Sequence, residues 1–473
     1  MAHDCSFLAE LLADEQVSFG DDDRDGHAGD WGTPPEERVQ PDAVCWPEST
    51  ATVSAVIEAA NDRDVPVTPY AAGTGLEGNA LPAFRGVSMD LSRMDGILEI
   101  RPEDFQIDVE PGVLGSAVND AVDDENLFLP PLPQSADIST VGGMIANDAS
   151  GAKTVKYGEV HDWVLGLEAV LADGTVIETG GRAVKTSSGY NLKDLIIGSE
   201  GTLAVVTRVT FELARQPKQI RGGRAAFGDL DSAAEAIAAT MQAGVDVATI
   251  ELIDPLSTKI ANAYSGTELP NVPTVFLEFH ANHHVEDEID ACREIFDEHG
   301  AERFEMAAGD EMDELWEARR NLANAMIAYD PPRRPIKPGD ITVPISKYPE
   351  IVRYAKERGD EHGLEVTTFG HAGDGNVHYN VLVDPNDDEE LAAGREVSDA
   401  VVERTIEMGG TATGEHGVGQ GKREYMVAEH GEGSVEAMRA IKHALDPKDT
   451  LNPGKIFPET ADGERLRVEP AED

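Results

Sequence analysis

Between positions 43 and 211 the apolar residues come in short runs separated by glycine-rich turns, with few long helical stretches. Positions 52–61 carry the spacing of a helix, and 65–69 reads as a strand running into a loop. Further runs at 86–90, 105–109, 164–171 and 203–211 predict strands, and Asp173-Gly174 between two of them is a hairpin signal. Ahead of this part lies a short N-terminal helix and a polar loop over 18–40.

After Arg215-Gln216-Pro217-Lys218 the texture changes to helix–strand alternation. Helices are predicted over 231–242, 285–298, 312–328, 349–362 and 389–408, and strands over 272–280, 341–345, 365–370 and 377–383. Asp330-Pro331-Pro332 stops the third helix. Residues 459–473 carry Asp and Glu without an apolar period, the mark of a solvated tail. Both halves therefore read as α+β, with no internal repeat.

Charge changes the picture of the surroundings. The chain has 473 residues with 38 Lys+Arg against 90 Asp+Glu, a formal charge of −52. Apolar residues at 40% exclude a disordered chain. A field of that sign repels phosphate, which excludes nucleic acid and anionic membrane as partners. The charge far exceeds the magnitude of about 2–8 that suits a small domain, and Lys is the scarcer cation, 13 against 25 Arg. The expectation is a halophile's cytoplasmic protein, of archaeal type, working in concentrated salt. Cys5, Cys45 and Cys292 are too far apart for a disulfide framework, a zinc ribbon or an iron–sulfur motif. The N-terminus lacks the basic and apolar regions of a signal peptide, and no stretch approaches a membrane span.

Three glycine-rich loops stand out. Gly73-Thr74-Gly75-Leu76-Glu77-Gly78 fits the dinucleotide fingerprint, but Asn79-Ala80-Leu81-Pro82 follows and no helix can open there. What remains is a loop whose amides can face a phosphate without Cβ obstruction. In the second loop Thr140, Gly142, Gly143, Ala146, Ser150 and Gly151 are small enough for a ligand to lie against the backbone. The third is Gly198-Ser199-Glu200-Gly201-Thr202. Any one reads as an ordinary turn; three in one domain exceed what turns need.

The sharpest chemistry lies late in the chain. His371 and His378 flank a tight loop, His-Ala-Gly-Asp-Gly-Asn-Val-His, so that a turn between two strands can bring both imidazoles onto one cation. Glu415 and His416 add a carboxylate and a third imidazole. Two His and one Glu form a usual catalytic metal set, although each histidine alone reads as a surface or core residue. His283-His284, at a strand end, reads as surface. Arg319 reads by position as a helix-surface residue. In a chain this acidic, however, Arg319 and the cluster Arg333, Arg334, Lys337 are cations to keep for an anion, and a guanidinium can hold a carboxylate bidentately.

Six segments together resemble one family: PYAAGTGLEGNA from Pro69, STVGGMIANDASGAKTVKYG from Ser139, GSEGTLAVV from Gly198, HAGDGNVHYN from His371, TGEHGVG from Thr413 and LDPKDTLNPGKIF from Leu445. In order and spacing they resemble the FAD-linked 2-hydroxy-acid dehydrogenases of the vanillyl-alcohol-oxidase type, over roughly residues 40–458. The resemblance implies a two-subdomain FAD-binding domain over 41–215 and a ferredoxin-like α+β substrate cap over 216–437. It also implies a segment over 438–458 returning to the FAD domain, between an N-terminal piece over 1–40 and a tail over 459–473. By the same resemblance FAD would meet Pro69, Ala72, Gly73, Thr74, Gly75, Gly78, Asn79, Ser135, Thr140, Gly142, Gly143, Ala146, Ser150, Glu200, Gly201, Val205 and Asn452. His371, His378 and Glu415 match the family's metal ligands, zinc, manganese and iron being indistinguishable. His416 matches its base, Arg319 its substrate-carboxylate arginine and Asn380 a pocket residue.

Some positions depart from the pattern. Asp148 replaces an Asn, so its side chain is expected to point away from pyrophosphate, and Leu132 replaces an Asp. The first loop lacks the His that attaches flavin in some relatives, so FAD is expected to be noncovalent. Lys337, three residues before Asp340, has no clean match among the family's substrate lysines. The implied reaction is oxidation of a D-2-hydroxy acid, D-lactate or glycolate first and D-2-hydroxyglutarate or D-malate next. Hydride goes to flavin and electrons to a separate acceptor: an iron–sulfur protein, an electron-transfer flavoprotein or a quinone. A redox partner could hold the protein at the membrane periphery, and a homodimer is compatible. The ether-lipid synthases of the same fold fit the Gly-Glu-His-Gly motif less well. A flavin-free metal hydrolase and a noncatalytic oxidase subunit are the readings from other classes.

Overall fold

The computed structural model describes residues 2–309, 312, 316, 319, 321–329, 332–458 and 463–466, without the side chains at 323, 327 and 337. It divides into two compact units. One comprises Met1–Ser150, Glu159–Gln216 and Glu415–Asp473, the other Gly151–Gly158 and Pro217–Gly414.

The first unit contains two main sheets. A mixed sheet runs Val17–Ser18, Ala43–Cys45, Val87–Asp90, Val67–Tyr70, its last three strands parallel. Helix Thr50–Asp62 turns Val53, Val56, Ile57 and Ala60 into an apolar cluster with Ala43, Cys45, Val87 and Met89. Their spacing is the one-face stripe of a helix. Burial of each Val or Ile is worth about 1.5–3 kcal/mol, against about 1 kcal/mol for the cap in which Ser49 Oγ accepts the Thr52 N–H at 3.3 Å. Packing, more than the cap, therefore holds this helix.

The second sheet of this unit is antiparallel: Ile97–Arg101, Gln106–Val109, Val205–Glu212, Val164–Val170, Val176–Gly180. Gly174, at φ +84°, makes the hairpin turn expected at Asp173-Gly174. The chain end rejoins the mixed sheet, where the Val67 N–H donates to the Thr450 carbonyl and the Asn452 N–H to the Val67 carbonyl, both at 2.8 Å. Lys442 is buried and donates to the carbonyls of Thr202 and Leu451, each at 2.9 Å, which fixes this return.

In the second unit, strands Gln219–Phe227, Thr249–Ile253, Thr274–Ala281 and Ala301–Ala307 stand in sheet order fourth, first, third, second, with helices Leu230–Gln242 and Val285–Glu298 between the paired elements. This is the ferredoxin-like arrangement. Strands Glu365–Gly370, Asn376–Val383 and Arg334–Thr342 extend it from the Thr249–Ile253 edge into seven antiparallel-paired strands.

The alternation of side chains decides what each face of this sheet carries. In Asn376–Val383, Val377, Tyr379, Val381 and Val383 turn to one side. There the Tyr379 hydroxyl donates to the Ser398 carbonyl of helix Asp388–Glu407 at 3.2 Å. Asn376, His378 and Asn380 therefore turn to the other side. On that side Ile253, Phe276 and Phe369 pack with Trp316, Leu322 and Met326.

Several elements differ from expectation. Asp21–Gly26 is a short helix inside the stretch read as loop, because three consecutive Asp at its N-terminal turn complement the helix dipole. The strand expected over 341–345 is Arg334–Thr342, and Ile345–Lys347 is a helical turn instead. Pro335 and Pro338 disguise that strand, and its pairing shifts register between them. Within the stretch expected as one helix over 312–328, Asn321 is a non-helical cap for Leu322–Ala328, and most of 310–320 lies outside the described residues. Strands Ala43–Cys45, Ile97–Arg101, Val176–Gly180, Gln219–Phe227, Thr249–Ile253 and Ala301–Ala307 are additional to the predicted ones. The tail over 459–473 lies outside the described residues except at 463–466.

Candidate active site

On the polar face of the second unit, backbone pairing lines up four strands. Ile253 opposes Phe369, Phe369 opposes His378, and His378 opposes Asp340. Opposed residues point to the same side of a sheet, so these strands carry Asp340, His378, Phe369 and, two residues along, Glu251 on one face. The tight loop with Gly375 at φ +85° then returns the chain and sets the His371 and His378 rings edge to face, centroids 5.3 Å apart. Both imidazoles are buried, at 5% and 7% exposure.

Buried carboxylates stand on either side of the two rings. Glu251 Oε1 lies 2.6 Å from His371 Nδ1. Arg319 donates through Nη2 to the same oxygen at 2.9 Å, and its Nε pairs with the other oxygen. Burial works to raise the Glu251 carboxyl, but Arg319 and His371 outweigh it and hold it below the usual carboxylate range. Asp340 Oδ1 lies 3.7 Å from His378 Nδ1. Asp340 also accepts from Asn376 Nδ2 at 2.7 Å, the Thr413 hydroxyl at 3.0 Å and the Gly414 N–H at 2.8 Å. Asn380 shares the face and donates to Thr367 Oγ1 at 3.3 Å.

In the first unit the glycine-rich loops are tied to one another. The Thr74 hydroxyl lies 3.1 Å from that of Ser139, which lies 2.7 Å from that of Ser135. Gly73 has φ +63° and Gly78 φ +74°, a backbone region that favours glycine. Thr140 caps helix Val141–Asn147, its Oγ1 accepting the Gly143 N–H at 3.4 Å. Hydroxyls on half-buried Thr74 and Ser135 and buried Ser139, beside glycine backbone and a helix start, suit a pyrophosphate, and these features fit FAD.

Other residues read as flavin contacts give their side chains to bracing. Asn79 Nδ2 donates to Glu200 at 2.7 Å, and Asn452 Nδ2 donates to the carbonyls of Asn79 and Glu200 at 2.9 and 2.7 Å. Ser150 Oγ accepts the Val160 N–H at 3.0 Å. Pro69 lies in the mixed sheet against Gly201, and Val205 is buried in its strand. Ala72 is exposed and Gly75 lies within the first loop, while Gly142 and Ala146 lie on helix Val141–Asn147, so this part of the stretch read as a loop is helical. Asp148 turns to His161, meeting its N–H at 3.0 Å and its Nδ1 at 2.7 Å.

Glu415 and His416 belong to the first unit, the two other histidines to the second. The His416 carbonyl accepts from Asn147 Nδ2 at 3.2 Å. Its Nδ1 lies 4.0 Å from the fully buried Glu77 carboxylate, which Lys422 approaches at 3.5 Å.

The remaining cations divide. Arg319 is 1% exposed, buried beneath the surface rather than on it. Arg333 is committed to Glu390, with Nε 2.9 Å from Oε2, and to the Gly363 carbonyl at 3.0 Å. The Lys337 side chain lies outside the described residues. His283 and His284 are exposed. Glu251, Asp340 and Glu77 were not singled out from the sequence. The available signal was an acid set inside an apolar run, as in Thr-Ile-Glu-Leu-Ile at 249–253.

Comparison with known proteins finds two matching domain families. Residues 216–456 match the C-terminal domain of FAD linked oxidases, and residues 41–180 match the FAD binding domain. The chain is 35% identical to a probable mitochondrial D-lactate dehydrogenase of Danio rerio, over 96% of this chain and 91% of that one. It is 34% identical to the glycolate oxidase subunit GlcD of Bacillus subtilis, over 94% and 96%. It is 33% identical to a D-lactate dehydrogenase of Archaeoglobus fulgidus, over 87% and 90%. Among solved structures, p-cresol methylhydroxylase with substrate bound superposes with a TM-score of 0.76 at 18% identity, over 98% of this chain and 96% of that one. An alkyldihydroxyacetonephosphate synthase gives 0.75 at 19%, over 95% and 84%. The fold is thus the vanillyl-alcohol-oxidase type. The chain belongs to the FAD-linked D-2-hydroxy-acid dehydrogenases, oxidoreductases acting on a CH–OH group.

Proposed function

We propose that the chain oxidises D-lactate or glycolate to the 2-oxo acid. The observation that carries this reading is the 33–35% identity, spread over nearly the whole chain, to proteins named D-lactate dehydrogenase and glycolate oxidase. FAD, when bound noncovalently at the glycine-rich loops of the first unit, supplies the hydride acceptor. The hydroxyls of Thr74, Ser135 and Ser139 would hold it; the N–H groups of Gly142 and Gly143 are taken by the Pro111 carbonyl at 2.7 Å and Thr140 Oγ1 at 3.4 Å, so these glycines would offer close approach and not donors. From Glu200 and Asn79, whose side chains are committed, contact would fall to backbone atoms, whereas Asn452 keeps a buried Oδ1 without a hydrogen-bond partner to offer.

A divalent metal fits the residues of the second unit. His371 and His378 offer two buried imidazoles, and the carboxylate on His371 Nδ1 leaves Nε2 as the ligand atom. His371, His378 and Glu415 would hold the ion, which lowers the pKa of a bound hydroxyl as it does that of water. His416 takes the hydroxyl proton, with its backbone held through Asn147. Asn380 would orient the substrate carboxylate, and Arg319 with it, its guanidinium being held in place by both oxygens of Glu251. Arg333 is already paired with Glu390, which removes one cation that a second substrate carboxylate would need. The small monoacids therefore stand ahead of D-2-hydroxyglutarate and D-malate. The FAD-domain match sets aside the flavin-free hydrolase.

Electrons leave to a separate acceptor, for which an iron–sulfur protein, an electron-transfer flavoprotein and a quinone are the candidate classes. Among the described residues no helix is long and apolar enough to cross a membrane. The test is an anaerobic visible spectrum in molar salt, before and after D-lactate, glycolate and D-2-hydroxyglutarate in turn. Bleaching of the flavin band by D-lactate or glycolate, lost on chelation, is the expected result. Bleaching by D-2-hydroxyglutarate alone would overturn the substrate reading, and bleaching untouched by chelation would overturn the metal reading.

A further inference from the structure

We propose that Glu251 is a positioning residue for the metal site: it fixes His371 with Nδ1 protonated and Nε2 presented to the ion, and couples that ligand to Arg319. The inference rests on the metal reading above and extends it to a residue outside the ligand set.

The backbone provides the first reason. Leu252 opposes Gly370 and Ile253 opposes Phe369, so the register brings Glu251 abreast of His371. A slip of one residue would turn Glu251 to the helix side. The placement is therefore fixed by main-chain pairing and not by a mobile loop.

Hydrogen-bond chemistry provides the second. An ionised carboxylate only accepts, so a ring nitrogen 2.6 Å from it must carry the proton. In a neutral imidazole that leaves the lone pair on Nε2. Metal-bound histidines regularly show this arrangement, with a carboxylate on the far nitrogen setting tautomer and ring angle.

Burial provides the third. Glu251 is 0% exposed within the run Thr249–Ile253, where a lone charge would be strongly unfavourable. Arg319, itself 1% exposed, answers that charge by contacts to both oxygens and lies over the Phe369 ring at 6.0 Å. Because Oε1 receives both Arg319 Nη2 and His371 Nδ1, neither partner can move without the other.

The probe is zinc added to chelator-stripped holoenzyme that retains FAD. Glu251→Gln keeps the volume but removes the charge, and whichever oxygen becomes the NH2 group puts a donor against a donor: Arg319 Nε at one position, Arg319 Nη2 and His371 Nδ1 at the other. The expected result is zinc affinity weakened about 10–100-fold in the folded variant, with the flavin spectrum close to wild type and a lower thermal midpoint, because Arg319 stays buried without its counter-charge. Glu251→Asp keeps the charge and is expected to restore part of the affinity, which a purely structural role does not predict. Affinity in Glu251→Gln within twofold of wild type would overturn the inference. Zinc failing to bind the wild type would overturn the metal reading instead. Should neither variant fold, 15N-histidine spectra of the metal-free wild type, with His371 assigned by a His371→Gln control, still decide. A neutral ring protonated on Nδ1 is expected, and one protonated on Nε2 overturns the proposal.

Discussion

The carboxylate of Glu200 receives the backbone N–H of Gly419 at 2.9 Å, across 219 positions of sequence. The same group accepts from the Val418 N–H at 2.7 Å and from Asn79 Nδ2 at 2.7 Å, and is buried. One side chain thus ties the first glycine-rich loop to the segment that follows His416. Glu200→Ala leaves these donors buried and unanswered, at about 1–3 kcal/mol each. A lower urea midpoint and faster release of FAD are expected. A variant with wild-type midpoint and flavin retention would show that water replaces the carboxylate at no loss.

Asp340 serves the second unit in a similar way. Its carboxylate answers Asn376, Thr413 and the Gly414 N–H while standing beside His378. Asp340→Asn has one acceptor oxygen where Asp had two and adds a donor of its own. It should therefore lose turnover by at least about tenfold, the smaller end of the penalties for outer carboxylates of metal sites. The flavin band should stay at wild-type intensity. Dye-linked turnover per bound FAD is the measurement, and an unchanged value rejects the role.

His416→Ala is expected to lower turnover by about 10²–10⁴, the usual contribution of a positioned general base. Bound FAD should be unaffected. Full activity in this variant would remove His416 from the mechanism.

The net charge of −52 predicts dependence on salt. Repulsion among exposed carboxylates weakens as the Debye length shrinks from about 10 Å at 0.1 M to about 3 Å at 1 M. The thermal midpoint should rise steeply across that range in KCl. A flat profile would contradict a halophilic origin.

Lys455 gives a pH signature. It is buried, donates to the Leu81 carbonyl at 2.7 Å, and burial pushes its pKa down to about 8 although Glu200 and Asp30 work to raise it. In the unfolded chain the group titrates near 10.4. Between those values the unfolded state binds a proton that the folded state lacks, so this group's contribution rises with pH across the window. Below about 8 both states are protonated and the contribution is constant. Unfolding free energies of wild type and Lys455→Met, compared at about pH 7.5, 8.5 and 9.5, should show wild type gaining on the variant as pH rises. A pH-independent difference would place the titration elsewhere.

Much of the fold was legible because its signals are local. Helices such as Val285–Glu298 and Tyr348–Glu361 show one apolar stripe, and strand Glu365–Gly370 has its expected bounds. Thr249–Ile253 escaped because a five-residue apolar run with both faces covered has no alternation to read. Arg334–Thr342 escaped because Pro335 and Pro338 look like a break, and only its pairing with Asn376–Val383 makes it a strand.

The sequence by itself determined the chemistry on offer. Glycine-rich loops, His371 and His378 around a tight turn, and Glu415 beside His416 are short-range patterns whose residue types limit what they can bind. It also determined the charge, which is a sum and needs no geometry. Only the tertiary structure decided which carboxylate each histidine meets. Glu251 reaches His371 through the register of two strands 120 residues apart in sequence, and Arg319 becomes buried against that same carboxylate. Pairings of that kind depend on long-range backbone hydrogen bonds, which leave no periodicity in the chain for the eye to find.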